Sequence, residues 1–177
     1  MAGVEAVEGS IFDVACDALV SPANSFGFMD GGLDLAISQH FGWHVQERLQ
    51  ARIRARHHGE LLVGQADAVP TDDPAIPLVI AAPTMRVPMR LGASANPYLA
   101  LRAVLLWVRH AHLDDGRPAR EVVRKVAVPG LGTGVGGVPS GVCSRQMRAA
   151  YDQVVAGTPG FPRSWNEACA RHEGLLR

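Results

Sequence analysis

The sequence is short of the features that mark several large protein classes. Its 177 residues hold three cysteines, Cys16, Cys143 and Cys169, an odd number with no CxxC spacing. That argues against a disulfide framework and against a cysteine-built zinc site, and makes a reducing cytoplasm the expected compartment. No apolar run approaches the roughly 20 residues that cross a bilayer, so no membrane contact is expected. Met1 to Ser10 lacks the basic start and apolar stretch of a secretory signal. Neither sign of charge is in excess. Lysine plus arginine number 17 and aspartate plus glutamate 17, so strong nucleic-acid electrostatics, which need a basic surplus, are not expected. Nothing in the pattern calls for a metal or a resident cofactor.

What is present is an ordinary globular composition: 47% hydrophobic residues and a mean hydropathy of +0.07. At this length the chain can bury a real core. No repeat or low-complexity linker divides it, so residues 1–177 read as one domain, with 157–177 as a C-terminal loop and helix. Short apolar strands alternate with amphipathic helices, the pattern of an α/β sheet covered on both faces. Strands are expected at Val4–Val7, Ala18–Val20, Leu61–Ala68, Leu78–Ala82 and Val126–Val128. Leu33, Ile37, Phe41, Val45, Leu49 and Ile53 recur every fourth residue and predict one long helix. Its far end carries Arg48, Arg52, Arg54, Arg56, His57 and His58. A solvated helix C-terminus explains these cations better than a phosphate backbone does.

A second helix is expected from Asn96-Pro97, a capping residue followed by proline at the first helical position. A third follows Pro139. The tail from Ser164, with Glu167 three residues on, predicts a capped last helix. No strand is expected after Val155.

Two segments are rich in glycine: Asn24 to Asp34, and Pro129 to Pro139. Each follows a short apolar strand and leads into a helix. Glycine lets backbone amides approach a ligand with no Cβ in the way. Free N–H groups at a helix start favour an anion. Two such loops at the carboxyl ends of parallel strands suit a ligand with two linked phosphates, bound in the crevice where open α/β sheets take ligands. Neither loop has the Lys-Ser/Thr pair of a P-loop. Gly132 to Gly137 matches GxGxxG, but no acidic residue lies about 20 positions beyond, at the end of a second strand, which disfavours a dinucleotide-binding dehydrogenase. Tight turns with no ligand are the bland alternative; five glycines within Gly130 to Gly137 are hard to explain by turning alone.

These segments resemble the macrodomain family. Ser21-Pro22-Ala23-Asn24 followed by Gly31-Gly32-Leu33-Asp34 resembles the family's Asn-Ala-Ala-Asn…Gly-Gly-Val-Asp segment. Gly64-Gln65-Ala66 resembles its Gly-x-Ala strand, and Pro129 through Pro139 its second phosphate loop. The resemblance runs from Val4 to about Val155. It implies a three-layer α/β/α fold with a mostly parallel mixed central sheet, and a site for ADP-ribose, free or attached to a macromolecule. Some members hydrolyse ADP-ribose from proteins or nucleic acid, so both an ADP-ribosyl hydrolase and a non-catalytic reader of ADP-ribosylated partners follow from it. An enzyme acting on another phosphorylated ribose nucleotide remains a third alternative.

Carried over by resemblance, Asn24 meets the distal ribose and Asp34 sits beside it, able to orient a water; these two are the catalytic candidates. Ala23, Gly31 and Gly32 approach the ligand from the first loop. Gly130, Gly132, Thr133, Gly134, Val135, Gly136 and Gly137 wrap the diphosphate from the second. Ser10 and Ile11 stand where many members have an aspartate and isoleucine on the adenine, and Asp13 is an alternative for that contact. Gly136 stands where hydrolytic members often carry an aromatic residue. The first loop has no lysine, and the paired glutamates of the poly-ADP-ribose-cleaving type are missing. Outside the loops, Arg86 and Phe161 are candidate substrate contacts.

Each candidate has a structural alternative. Asp34 is also a favourable acid in a first helical turn, Asn24 and Asp30 are turn-formers, and Arg86 belongs to a solvated loop. Phe26, Phe28 and Phe161 fit ordinary packing. Cys143, with no histidine near it in sequence, reads as a buried helix residue rather than a nucleophile.

Overall fold

The computed structural model describes residues 3–177. Four short strands, β1 (Ala18–Ser21), β2 (Asp67–Pro70), β3 (Leu78–Ala81) and β4 (Val126–Ala127), form one sheet in the order β2-β3-β1-β4. β1 runs parallel to both β3 and β4, while β2 pairs antiparallel with β3. Six helices follow the chain: α1 (Gly32–Phe41), α2 (His44–Arg56), α3 (Asn96–His110), α4 (Ala119–Val122), α5 (Ser140–Val154) and α6 (Trp165–Leu176).

The alternation of side chains across a strand sorts the core into two halves. Leu19 of β1, Val69 of β2 and Val79 of β3 pack with Ile37, Val45, Leu49 and Ile53 of α1 and α2. Ala18, Val20, Ala68 and Ile80 point the other way, into Ala100, Leu101 and Val104 of α3 and Cys143 and Ala150 of α5. Because helices cover both faces, the strands are buried nearly throughout and read as apolar runs. This is a three-layer α/β/α architecture around a mixed sheet.

Several expected elements differ. Val4–Val7 forms no strand: Val4 and Val7 are 48% and 63% exposed, and glutamates at positions 5 and 8 leave the segment no second face to bury. Of Leu61–Ala68, only Asp67 and Ala68 join a strand; Gly64 sits in a turn at φ 96°. The predicted long helix is two. Gly42 adopts φ 104° and its N–H caps Ser38 O, ending α1, and α2 restarts at His44. The four-residue repeat survives the break, since Ile37, Val45, Leu49 and Ile53 share one cluster.

Asn96 is the first residue of α3 rather than its cap; its Nδ2 donates to Thr84 O at 2.7 Å. The short α4, between the Asp114–Pro118 turn and β4, has no counterpart in the sequence reading. Ser164 caps α6 by accepting from Glu167 N at 3.2 Å, and the Glu167 carboxylate accepts from Arg163 N. No strand follows β4 among the described residues; α6 instead packs on α5.

The buried amide of Gln146 ties these parts together. It accepts from Tyr98 N and donates to Ser94 O and Leu175 O, linking α5 to the start of α3 and the end of α6. Among the described residues no helix is long and apolar enough to cross a membrane. The basic end of α2 is largely neutralised: Arg48 pairs with Asp72, Arg52 with Asp67 and Asp114, Arg56 with Asp114, and His57 with Asp67.

Candidate functional site

The carboxyl ends of β1 and β3, where the parallel strands stop together, open onto a cleft of about 320 Å³. Pairing continues past the strands, through Ala82 N to Ser21 O, Thr84 N to Ala23 O and an isolated bridge between Asn24 and Met85. This continuation holds the first glycine loop against the segment after β3. One wall of the cleft is Pro22, Ala23, Asn24, Phe28 and Asp30 to Asp34; the facing wall is Pro129, Gly130 and Gly132 to Gly136. The two glycine-rich loops therefore line one cavity.

The first loop is organised by side chains. Asn24 Oδ1 accepts from Phe26 N at 3.1 Å and Phe28 N at 3.3 Å, and its Nδ2 donates to Phe28 O at 2.7 Å. An amide nitrogen carries two hydrogens, so one stays available to a ligand. Met29, fully buried, anchors the loop through its N–H to Gln46 Oε1 and its carbonyl to Ser38 Oγ. The loop ends at α1, whose Gly31 cap has no side-chain bond. The N–H groups of Gly32, Leu33 and Asp34 precede the first intrahelical bond, from Leu35 N to Gly31 O, and belong to residues that line the cleft.

Asp34 is 7% exposed yet lines the cleft. One of its oxygens accepts from Ser21 Oγ at 2.5 Å; the other has no donor among the described residues. Burial raises its pKa to about 6, against the opposing pull of the Ser21 hydrogen bond. Asp34 is thus mostly ionised at pH 7 and can take up a proton close to that pH.

The second loop is organised by its backbone. Gly137 N donates to Gly134 O, Val138 N to Gly132 O, and Thr133 Oγ1 to Gly130 O at 2.9 Å. From Gly132 to Gly136 no backbone N–H has an acceptor among the described residues. Successive free amides of this kind form an anion-binding concavity. The loop is fastened from behind by Leu91, whose N–H donates to Gly136 O at 2.9 Å. A Cβ on Gly136 would lie 2.5 Å from Gly132 O and 2.8 Å from Leu91 Cδ1, so this position has no room for a side chain. Gly134 differs: nothing lies within 4 Å of a Cβ there.

Of the sequence-predicted residues, the cleft brings together Ala23, Asn24, Gly31, Gly32, Asp34, Gly130, Gly132, Thr133, Gly134, Val135 and Gly136. Gly137 lies just behind the loop. Ser10 and Ile11 line a separate, more open depression of about 1030 Å³ that shares Leu33, Pro129 and Gly130 with the cleft. Ser10 there caps a 3-10 turn, Ile11–Asp13, by accepting from Phe12 N.

Arg86 is outside the cleft lining. Its guanidinium pairs with Glu60, through Nε at 3.1 Å and through Nη2, and lies 5.1 Å from the Phe26 ring centroid. Phe161 is 95% exposed and lines neither cavity. Cys143 is buried, its thiol donating to Leu131 O, and burial raises its pKa, which leaves it inert. The residues that sequence reasoning missed are Thr84, Met85 and Pro88, which line the cleft from the segment after β3. The available signal was their place directly after an apolar strand parallel to β1, beside Arg86.

Comparison with known proteins agrees with this architecture. The Macro domain family matches residues 20–147. An uncharacterized protein of Aquifex aeolicus (strain VF5) is 35% identical over 144 residues, which cover 81% of this chain and 78% of that one. Among solved structures, the macrodomain of Mycobacterium tuberculosis DarG superimposes with a TM-score of 0.67 at 21% identity, covering 83% of this chain and 88% of that one. A mutant Oceanobacillus iheyensis macrodomain, solved with ADPR, gives a TM-score of 0.67 at 16% identity over 82% and 74% of the two chains. By its matched residues and its shared architecture, the chain belongs to the Macro domain family.

Proposed function

We propose that this protein binds ADP-ribose, free or carried by a macromolecule, with the diphosphate between the two glycine-rich loops. The observation that carries this reading is the convergence of two sets of unpaired backbone N–H groups on one open cleft: Gly32 to Asp34 at the start of α1, and Gly132 to Gly136 opposite. No side chain plugs the space between them. In this reading the diphosphate takes those amides, and the free Nδ2 hydrogen of Asn24 serves the distal ribose. The adenosine half extends past Leu33 and Pro129 into the depression beside Ser10 and Ile11. A structurally similar macrodomain solved with ADPR supports the ligand class. The three free cysteines suit a reducing, cytoplasmic setting.

Isothermal titration with ADP-ribose tests the proposal. Saturable heat at micromolar to millimolar ligand is expected; no heat from the folded protein at millimolar ligand rejects it.

A second reading, hydrolysis of the bond to the distal ribose, draws on Asp34. A carboxylate with its pKa raised to about 6 suits a group that draws a proton from an attacking water. Against this stands Gly136, where the packing excludes the aromatic residue that hydrolytic members often carry. Recognition without turnover is therefore the better-supported form of the proposal. Release assays on ADP-ribosylated protein and ADP-ribosylated DNA separate the two. Hydrolysis requires that the wild type release ADP-ribose, and that Asp34→Ala keep binding while losing release.

A further inference from the structure

The side chains lining the cleft include two carboxylates, Asp30 and Asp34, and no lysine or arginine. A diphosphate bound there meets good hydrogen-bond donors but also two nearby carboxyl groups of its own sign. A cation close by offsets that field and adds to what the backbone donors supply.

Two arginines lie on the segment that supplies Met85 and Pro88 to the cleft wall. Arg86 is already paired: its ion pair with Glu60 cancels its charge at short range. Arg90 is different. It is exposed, and it has neither a carboxylate nor any hydrogen-bond acceptor among the described residues. Its guanidinium packs against Gly137, where a Cβ would overlap it, and Gly137 adopts φ 66°, a conformation that also favours glycine. The neighbouring Leu91 N–H bonds to Gly136 O, which fixes this stretch of backbone to the second glycine loop. An unpaired cation thus rests on the residue that follows the cleft-lining stretch Gly132 to Gly136.

Building on the ADP-ribose reading, we infer that Arg90 supplies the positive charge of the diphosphate site, acting on the ligand phosphates from behind the second loop. The guanidinium is suited to this. It is weakly hydrated and spreads its positive charge over a planar group that can pack against backbone. Lack of an intramolecular anion leaves its full charge for the ligand. The glycine at 137 is explained by the same arrangement, as the surface on which the guanidinium rests.

The test is titration of ADP-ribose into the wild type, Arg90→Gln and Arg90→Lys, at about 25 mM and about 300 mM salt. Debye screening separates the two conditions, with the field much shorter in the second. Arg90→Gln is expected to weaken binding roughly five- to twenty-fold at low salt, as for loss of a nearby charge, and the gap should narrow at high salt. Arg90→Lys should recover most of the affinity at low salt.

Thermal unfolding midpoints should be unchanged in both variants, because Arg90 is exposed. Three results overturn the inference while leaving the ADP-ribose reading intact: affinity of Arg90→Gln within two-fold of wild type at low salt, a loss that neither salt nor lysine alters, or a collapse of the fold. Absence of wild-type binding removes the reading itself.

Discussion

The two loops that face each other across the cleft are built on opposite principles. The first, residues 24–34, is held by polar side chains: Asn24 closes its turn, Gln46 and Ser38 clasp Met29, and Ser21 holds Asp34. The second, residues 130–137, is held by backbone bonds and by the absence of side chains. Its glycines let Leu91 and Gly132 O approach to distances that no Cβ would allow. The contrast teaches where chemistry can be tuned. Substitution in the first loop changes charge and hydrogen bonding, whereas substitution in the second changes shape, and does so differently at neighbouring glycines.

Gly134→Glu gives the largest expected effect and tests the second loop as a ligand surface rather than a structural turn. A Cβ at 134 meets nothing within 4 Å, and the residue does not need positive φ, so the fold should tolerate the change. The glutamate would project into the cleft with a charge of the ligand's own sign. ADP-ribose affinity should fall at least about a thousand-fold, roughly 4 kcal/mol, with an unfolding midpoint close to wild type. Normal binding by this variant would place the phosphates elsewhere and dissolve the contrast between the loops.

Asp34→Asn sharpens the other side of the comparison, because here a side chain sets the energetics. The native carboxyl has a pKa of about 6, above its ordinary 3.8, because it is buried. Between those values the folded protein holds more protons than the unfolded chain. This group's contribution to stability is therefore greatest below about pH 4 and falls as pH rises through 6. The full difference is about 3 kcal/mol at most. Asparagine keeps an acceptor for Ser21 Oγ and removes the desolvated charge. The variant should thus be more stable than wild type at pH 8, by up to about 3 kcal/mol, and nearly equal at pH 4. Urea unfolding at the two pH values checks this; an equal difference at both would show that the native carboxyl is not destabilised by burial.

The sequence was informative wherever the local pattern and the tertiary context agree. Both glycine loops follow strands and precede helices as expected, and the alternating strands and helices gave the α/β layering. Ala18–Val20 and Leu78–Ala82 were legible because strands buried on both faces are apolar runs with clear ends. Val4–Val7 misled because three apolar residues say nothing about whether a neighbour is available to bury them.

The split between α1 and α2 was hidden because a spacing of four residues persists across Gly42. The chain turns there without leaving its apolar face. At the site, the glycines were readable as a class, but not which of them are fixed by packing. That distinction depends on Leu91, 45 residues before Gly136 in the chain, and no local pattern carries it. Gln146 was invisible for the same reason: its three partners come from three separate segments.

The smallest expected effect concerns that hidden distinction. Gly136→Ala adds one methyl where Gly132 O would lie 2.5 Å away and Leu91 Cδ1 2.8 Å away. Leu91 is nearly buried, 8% exposed, and cannot simply swing aside, while a backbone carbonyl can move only with its loop. Overpacking of this kind costs about 2 kcal/mol, so the midpoint of chemical unfolding should drop accordingly. Gly134→Ala, two residues away, should change it by no more than about 0.5 kcal/mol, since its methyl enters open space. The pair isolates shape from charge, because neither substitution adds a polar atom. If the two variants were equally stable, Leu91 would not be fastening the loop from behind, and the amides from Gly132 to Gly136 would need another reason to hold their concave arrangement without a ligand.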